Sequence, residues 1–350
     1  MTIRTKRAAL FFIALSVLIM QGIPFCSEGF SDDTDVIHFK PEKGPGGSDT
    51  LPAADSATKI RVLKETMKDV VVKYIGATVT FPRDTVESIV YFDTPEEYRR
   101  ALAAIRDGNL DRALEHLERV ETPGKRHWIA IHKLFYTAKT HLMIGETEKK
   151  KNEAALRLFE EFSSKYPDTP FMWEALVGQA IALFQMGDHA GALEKLRNMK
   201  TTAPPGSRGE HLAELWSAKV RELGTEDYEK ARKSYVRLAA TAGSRFPVIS
   251  AMAKIGELRC LTLSDRHQEA LRGARKLTGR DGTTDPVVLA NAWSVIGDCL
   301  IAAGNGPEKS NDALLAYLRV VIVYDRDPGL TARAAYKAAE CFERTERVDR

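Results

Sequence analysis

Eight histidines and four cysteines are the side chains of this 350-residue chain suited to holding a metal or attacking a substrate. Their spacing supports neither. His127, His132 and His141 do not stand at the HxxxH or CxxC-type intervals that bring two ligands to one ion, so surface or half-buried positions are expected and no metal is predicted. Gly304 to Ser310 has the glycines and the Lys-Ser of a phosphate loop, but Glu308 stands where glycine must precede the lysine. No GxSxG, HExxH or GxGxxG motif occurs, so no catalytic residue and no cofactor is predicted. Glu148 to Lys151 reads as a solvated charge run, with contact to membrane headgroups as the alternative. A net charge of +3, with three cations in the first seven residues, gives no basic field for nucleic acid.

The elements around these residues begin with a targeting pattern. Arg4, Lys6 and Arg7 precede an apolar run from Ala8 to Met20, too short to span a bilayer but of signal-peptide length. Residues 1–29 are expected to be an export signal, with an uncleaved anchor as the alternative and no other membrane span. Lipidation at Cys26 is disfavoured because Pro24 and bulky Phe25 occupy places that need small residues. Residues 30–93 read as a small β module: strands at 35–40, 59–64, 69–75, 78–81 and 88–92, with 41–58 as a flexible Pro/Gly/Ser loop. Such strands either close into a small barrel, which removes its edges, or form an open sheet docked on the first helices. The arrangement resembles an SH3-like or Sm-like barrel, with Phe81 to Val86 as its connecting turn.

From Thr94 onward the pattern is helical. Ala113, Ala155, Ala192, Ala231, Ala270 and Ala313 recur at intervals of 42, 37, 39, 39 and 43 residues. A period near 40 indicates stacked helical hairpins, because two helices approach closely only where side chains are small. Thr94-Pro95, Thr169-Pro170, Asp285-Pro286 and Asp327-Pro328 open successive first helices. In each, the Thr or Asp is expected to accept from freed amides, with Glu97 completing a capping box after Thr94. Cys260, Cys299 and Cys341 keep the repeat interval, which places them on three successive first helices. Packed helices lie about 8–10 Å apart, beyond the roughly 7 Å Cα separation that a disulfide tolerates. They are expected to be buried packing residues.

Residue by residue the units resemble tetratricopeptide repeats. Ala180, Gly187, Ala192, Leu196 and Pro204 supply one unit's small residue, turn glycine, second small residue, bulky filler and closing proline. Ala101, Gly108, Ala113 and Leu117 do the same in the first unit, and Trp293, Ile296 and Gly297 fit a later first helix. Gly145, Ala155, Phe159, Phe162 and Pro167 fit if residues around Glu146 to Lys151 lengthen the inter-helix turn, with a similar expansion at Asn305 to Lys309. The units around Ala231 and Ala270 are degenerate, which leaves Sel1-like and other helical repeats open. The resemblance covers residues 94–350. It implies a mainly α fold, a right-handed α-α superhelical solenoid of about six hairpins plus a final helix. Phe162, Tyr166-Pro167, Asp168 and Pro170 further resemble the exported subgroup found on bacterial envelope assembly proteins.

What the resemblance implies about function is a groove that binds proteins or extended peptide segments. Carried over, the groove positions are His132, Phe135, Lys139 and Leu142; Glu174, Val177, Ile181 and Phe184; and Met252, Ile255, Arg259 and Thr262. These lack the Lys/Asn pair that clamps a terminal carboxylate, so an apolar or mixed extended ligand is expected. The alternative is that they pack on the next helix or face water. The resulting expectation is a non-enzymatic scaffold in the bacterial periplasm or cell envelope. The second reading is an accessory to an envelope or peptidoglycan enzyme, recognising its target through the β module. In the last helix, Ala335, Ala339 and Phe342 form an apolar stripe with no helix after it. Homo-oligomer formation there, or a shortened chain, is expected.

Overall fold

The computed structural model describes residues 35–39, 50–51, 60–122, 127–280, 282–283, 285–304, 306–324 and 328–345. The expected export signal, Cys26 and Asp327 lie outside them. The chain forms two compact units, Leu18–Met186 and Gly187–Arg350.

The first unit opens with six strands: β1 (Val36–Phe39), β2 (Thr50–Leu51), β3 (Ile60–Glu65), β4 (Asp69–Tyr74), β5 (Ala77–Pro82) and β6 (Val86–Val90). They form two antiparallel three-stranded sheets, ordered β2-β1-β6 and β3-β4-β5. Alternation in β4 sends Val70 and Val72 inward to meet Ile37, Phe39, Leu51, Ile60 and Val86. The expected loop 41–58 is corrected in part: Thr50–Leu51 pairs with β1, and Leu51 joins the core. Two residues are too few to show a strand period. The last strand runs Val86–Val90, two residues earlier at each end than the expected 88–92, so Tyr91 and Phe92 lie beyond it. Buried Asp35 ties the sheets together, donating from its amide to the Ile60 carbonyl and accepting from the Val62 and Phe92 amides.

Helices α1 (Glu96–Arg106), α2 (Leu110–Arg119), α3 (His127–Ile144), α4 (Lys149–Lys165) and α5 (Met172–Met186) complete this unit. The second contains α6 (His189–Thr202), α7 (Arg208–Leu223), α8 (Tyr228–Ala242), α9 (Pro247–Leu263), α10 (His267–Thr278), α11 (Pro286–Ala302), α12 (Pro307–Val323) and α13 (Pro328–Arg344). In sequence they are six pairs and a final helix. Within each unit, consecutive helices pack, and alternate ones also touch: α3 on α5, α7 on α9, α9 on α11, α11 on α13. First helices such as α5, α9 and α11 are apolar on most sides and buried accordingly. Second helices bury one stripe.

Every one of the six recurring alanines is 0% exposed, and each lies on a second helix. Four are the fourth residue of their helix; Ala155 and Ala313 are the seventh. The residues expected to lengthen two turns instead add a helical turn to the front of α4 and α12, which explains the longer intervals of 42 and 43. Five residues before four of the alanines the backbone takes a positive φ: Gly108 (75°), Gly187 (91°), Glu226 (53°) and Asp265 (59°). Only glycine enters that region without strain. The units that look degenerate in sequence thus keep the turn and lose only its glycine.

Capping follows expectation at Asp285, whose carboxylate accepts from the Val287 and Val288 amides at 2.9 and 3.3 Å. It does not at Thr94 and Thr169. Their hydroxyls donate backward to the Tyr91 and Tyr166 carbonyls, and Glu97 is drawn to His116 at 2.7 Å rather than closing a capping box. Pro95 and Pro170 carry the chain past the threonines before the helices begin.

Candidate functional site

Where the β module meets α3 and the α4–α5 loop, the first unit holds a cleft of about 280 Å³. One wall is β3, from Val62 to Glu65, and the end of its sheet; Tyr91 lies behind it. The opposite wall is Trp128, Ile131 and His132 of α3, and the third is the turn from Lys165 to Phe171. That turn carries Tyr166, Pro167, Asp168 and Pro170 to the cleft, whereas Phe162, singled out with them in the sequence, is buried behind it. A β-bulge at Leu63 throws its side chain outward, 55% exposed. Lys64 and Asp168 approach to 3.5 Å across the mouth, an exposed pair that solvent screens.

The cleft floor is packed aromatic. Tyr91 stacks on Trp128 with centroids 4.1 Å apart and planes 10° from parallel. The Tyr91 hydroxyl donates to Glu65, which also pairs with Arg83 at 2.8 Å; burial and this carboxylate push the phenol pKa up. His132 lies against Tyr98, Trp128 and Phe171, with Nδ1 2.9 Å from the Tyr98 hydroxyl. Burial pushes its pKa down to about 3, so the imidazole is neutral at physiological pH. The phenol, imidazole and carboxylate are all engaged in packing or pairing. Among the described residues no group of three or more His, Cys, Asp or Glu side chains is placed to hold a metal.

The structure gathers some of the expected groove residues and disperses others. Phe135 stacks on Phe171 at 4.6 Å and touches Phe159 and Phe162, directly behind the cleft. Lys139 lies over the Tyr136 ring, and burial, partly offset by Glu174, brings its pKa down to about 7. Leu142, Val177 and Ile181 are buried; Glu174 and Phe184 keep partial exposure. In the second unit Met252 and Ile255 are buried, and Arg259 is committed to another residue. Most of these positions therefore pack between helices, and His132, Glu174, Phe184, Arg259 and Thr262 are the ones that reach the surface in part.

Sequence reading missed two polar triads in the second unit. Glu222 on α7, fully buried, accepts from Arg259 on α9 at 2.7 and 2.5 Å and from the Tyr235 hydroxyl on α8 at 2.7 Å. Asp298 on α11 accepts from Tyr317 on α12 and Arg333 on α13, each at 2.8 Å. Each carboxylate ties its own hairpin to the next first helix. An acid followed 35 to 37 residues later by arginine was the available signal. One turn before Glu222, Lys219 is only 2% exposed; its ammonium lies 4.3 Å from the Trp216 ring without a hydrogen-bond acceptor. Burial, reinforced by Arg259, pushes its pKa well down.

Cys260, Cys299 and Cys341 are each the fourteenth residue of α9, α11 and α13, buried and free. Burial raises their thiol pKa values, the opposite of what a reactive thiolate needs. At the loop resembling a phosphate site, Lys309 donates to the Ala303 carbonyl at 2.5 Å and so closes the end of α11.

Residues 148–207 match the family model described as tetratricopeptide repeat. No curated protein matches the chain. Among solved structures, a tetratricopeptide repeat protein from Parabacteroides merdae ATCC 43184 is 14% identical, with a TM-score of 0.49 over 73% of this chain and 83% of that one. The TPR domain of P58(IPK) is 17% identical, with a TM-score of 0.28 over 72% and 66%. Residues 148–207, which span α4, α5 and α6, are thus similar to tetratricopeptide repeats, and the helices on either side continue as packed pairs.

Proposed function

We propose that this chain is an exported, non-enzymatic scaffold of the bacterial cell envelope that holds extended segments of partner proteins. The observation that carries this reading is the cleft of β3, α3 and the α4–α5 turn. It combines exposed Leu63, aromatic and proline walls and a polar mouth, and its ionisable floor is fully engaged. Export and envelope location draw on the N-terminal basic-apolar pattern and the Tyr166 to Pro170 turn. The partly exposed groove residues Glu174 and Phe184 extend the same surface reading along α5.

The accessory reading, in which the β module recognises the target, draws on one feature. A 3₁₀ turn at Arg83–Thr85 links β5 to β6, and β6 returns to pair with β1. The two readings differ in which wall of the cleft meets the partner. A photo-crosslinking residue placed at Leu63, Tyr166 or Phe184 in the native cell should give one discrete adduct from Leu63 and Tyr166 for the scaffold reading. An adduct from Leu63 alone favours the accessory role. No adduct at any of the three, with normal protein levels, overturns both. Fractionation of the same cells tests the location: protein retained in the cytoplasm rejects the envelope assignment.

A further inference from the structure

We propose that β5, an open edge of the β module, takes up an extended acidic segment of a partner protein as an added strand. The β4–β5 hairpin fixes which groups are offered. Tyr74 and Ala77 close its two-residue turn as a hydrogen-bonded pair, so Ala77, Val79 and Phe81 turn their amides and carbonyls toward β4. Thr78 and Thr80 turn theirs outward. Among the described residues those groups have no hydrogen-bond partner, and both threonines are exposed. Pro82, which has no N–H to give, falls in the same outward phase. The opposite edge of the sheet is covered instead. On β3 the Asp35 carboxylate accepts from the Val62 amide, and the Asp35 amide donates to the Ile60 carbonyl. Sheet edges are usually blunted by charge, by a bulge or by such a cover, and β5 carries none of these from Ala77 to Phe81.

The flanking side chains define what the segment must carry. On the outer face of the sheet Arg61 and Lys73 stand directly opposite each other, and Thr78 follows in the same row. Like charges so placed repel. Arg61 lies over the Phe92 ring at 4.5 Å, and neither cation forms an ion pair among the described residues. An added strand would set its own residue next in that row, about 4.8 Å beyond Thr78. A glutamate or aspartate there meets Lys73 over the small threonine and turns a repulsive row into an attractive one. The inner face asks for the opposite character. Val79 and Phe81 pack against the core of the module yet keep partial exposure at its rim, so the segment must cover them with apolar side chains. Acidic and apolar residues therefore alternate along it. β5 is the edge opposite β3, so this surface is separate from the cleft and does not depend on it.

Fluorescence anisotropy on the full chain tests this with a labelled synthetic peptide, Ser-Val-Glu-Val-Glu-Val-Ser, and a counterpart carrying lysine in place of glutamate. The glutamate peptide is expected to bind and the lysine peptide is not. Thr80→Pro removes an outward amide without touching the β4 ladder, so it should weaken binding about tenfold and leave the circular-dichroism melt unchanged. Lys73→Glu should weaken binding of the glutamate peptide about fivefold and admit the lysine peptide. Leu63→Ser, in the cleft, should change neither. No binding of the glutamate peptide, equal binding of the two peptides, binding indifferent to Thr80→Pro, or binding lost with Leu63→Ser would overturn the proposal. So would a dimeric wild type that Thr80→Pro makes monomeric, because the edge would then serve a second copy.

Discussion

Lys219 is the residue whose environment most opposes its chemistry. In the unfolded chain it titrates near 10.4, whereas in the fold burial holds it well below that. Between the two values the unfolded state binds the extra proton, so stability rises with pH toward that unfolded value. At neutral pH the buried, acceptor-less amine costs the fold about 1–3 kcal/mol. Lys219→Met should therefore raise the denaturant midpoint at pH 7 and flatten the gain seen in wild type on moving to pH 10. Glu222 beside it poses the reverse case. Arg259→Met would leave a fully buried carboxylate without its cation, at a cost of about 3–5 kcal/mol by urea titration. Tyr235→Phe should cost about 1.5–3 kcal/mol, the range for a hydrogen bond to a charged group.

Among the elements, the turns are where sequence and backbone disagree. Glu226 and Asp265 occupy left-handed positions that Gly108 and Gly187 fill elsewhere. Glu226→Gly and Asp265→Gly should each stabilise by about 0.5–1 kcal/mol, since the strain of an L-residue there slightly exceeds the entropy lost by glycine. The two-residue β4–β5 hairpin carries the same conflict. Ile75 and Gly76 both have positive φ, the geometry that favours Asn-Gly, and Ile75 is exposed. Ile75→Asn should raise the melting temperature; a lower one would show that Ile75 makes a packing contribution. The opposite substitution belongs to the helices. Gly178→Ala puts a Cβ 2.5 Å from the buried Phe159 ring and should destabilise by about 1–3 kcal/mol.

For the whole molecule, the three cysteines form a built-in reporter of how a stacked array comes apart. They occupy one position on α9, α11 and α13 and are inaccessible in the fold. In an array stabilised by nearest neighbours, terminal elements open at the lowest free energy. Pulsed thiol labelling across a urea gradient should modify Cys341 first, then Cys299 and Cys260. Simultaneous labelling would mean that the second unit unfolds as one cooperative body.

The sequence alone determined the repeat, because hairpin packing demands a small residue at a fixed place and the six alanines meet it. It also determined the thiol positions and most strands, since burial on one face writes a period of its own. Tertiary structure decided everything that depends on partners distant in the chain. The Glu222 and Asp298 triads, the Asp35 staple between sheets and the joining of β3 to the Tyr166 turn each need residues 13 to 104 positions apart, which no local period records. The groove positions show the same division. Their spacing placed them on first helices, but which of them are buried was fixed by the neighbouring helices that pack against them.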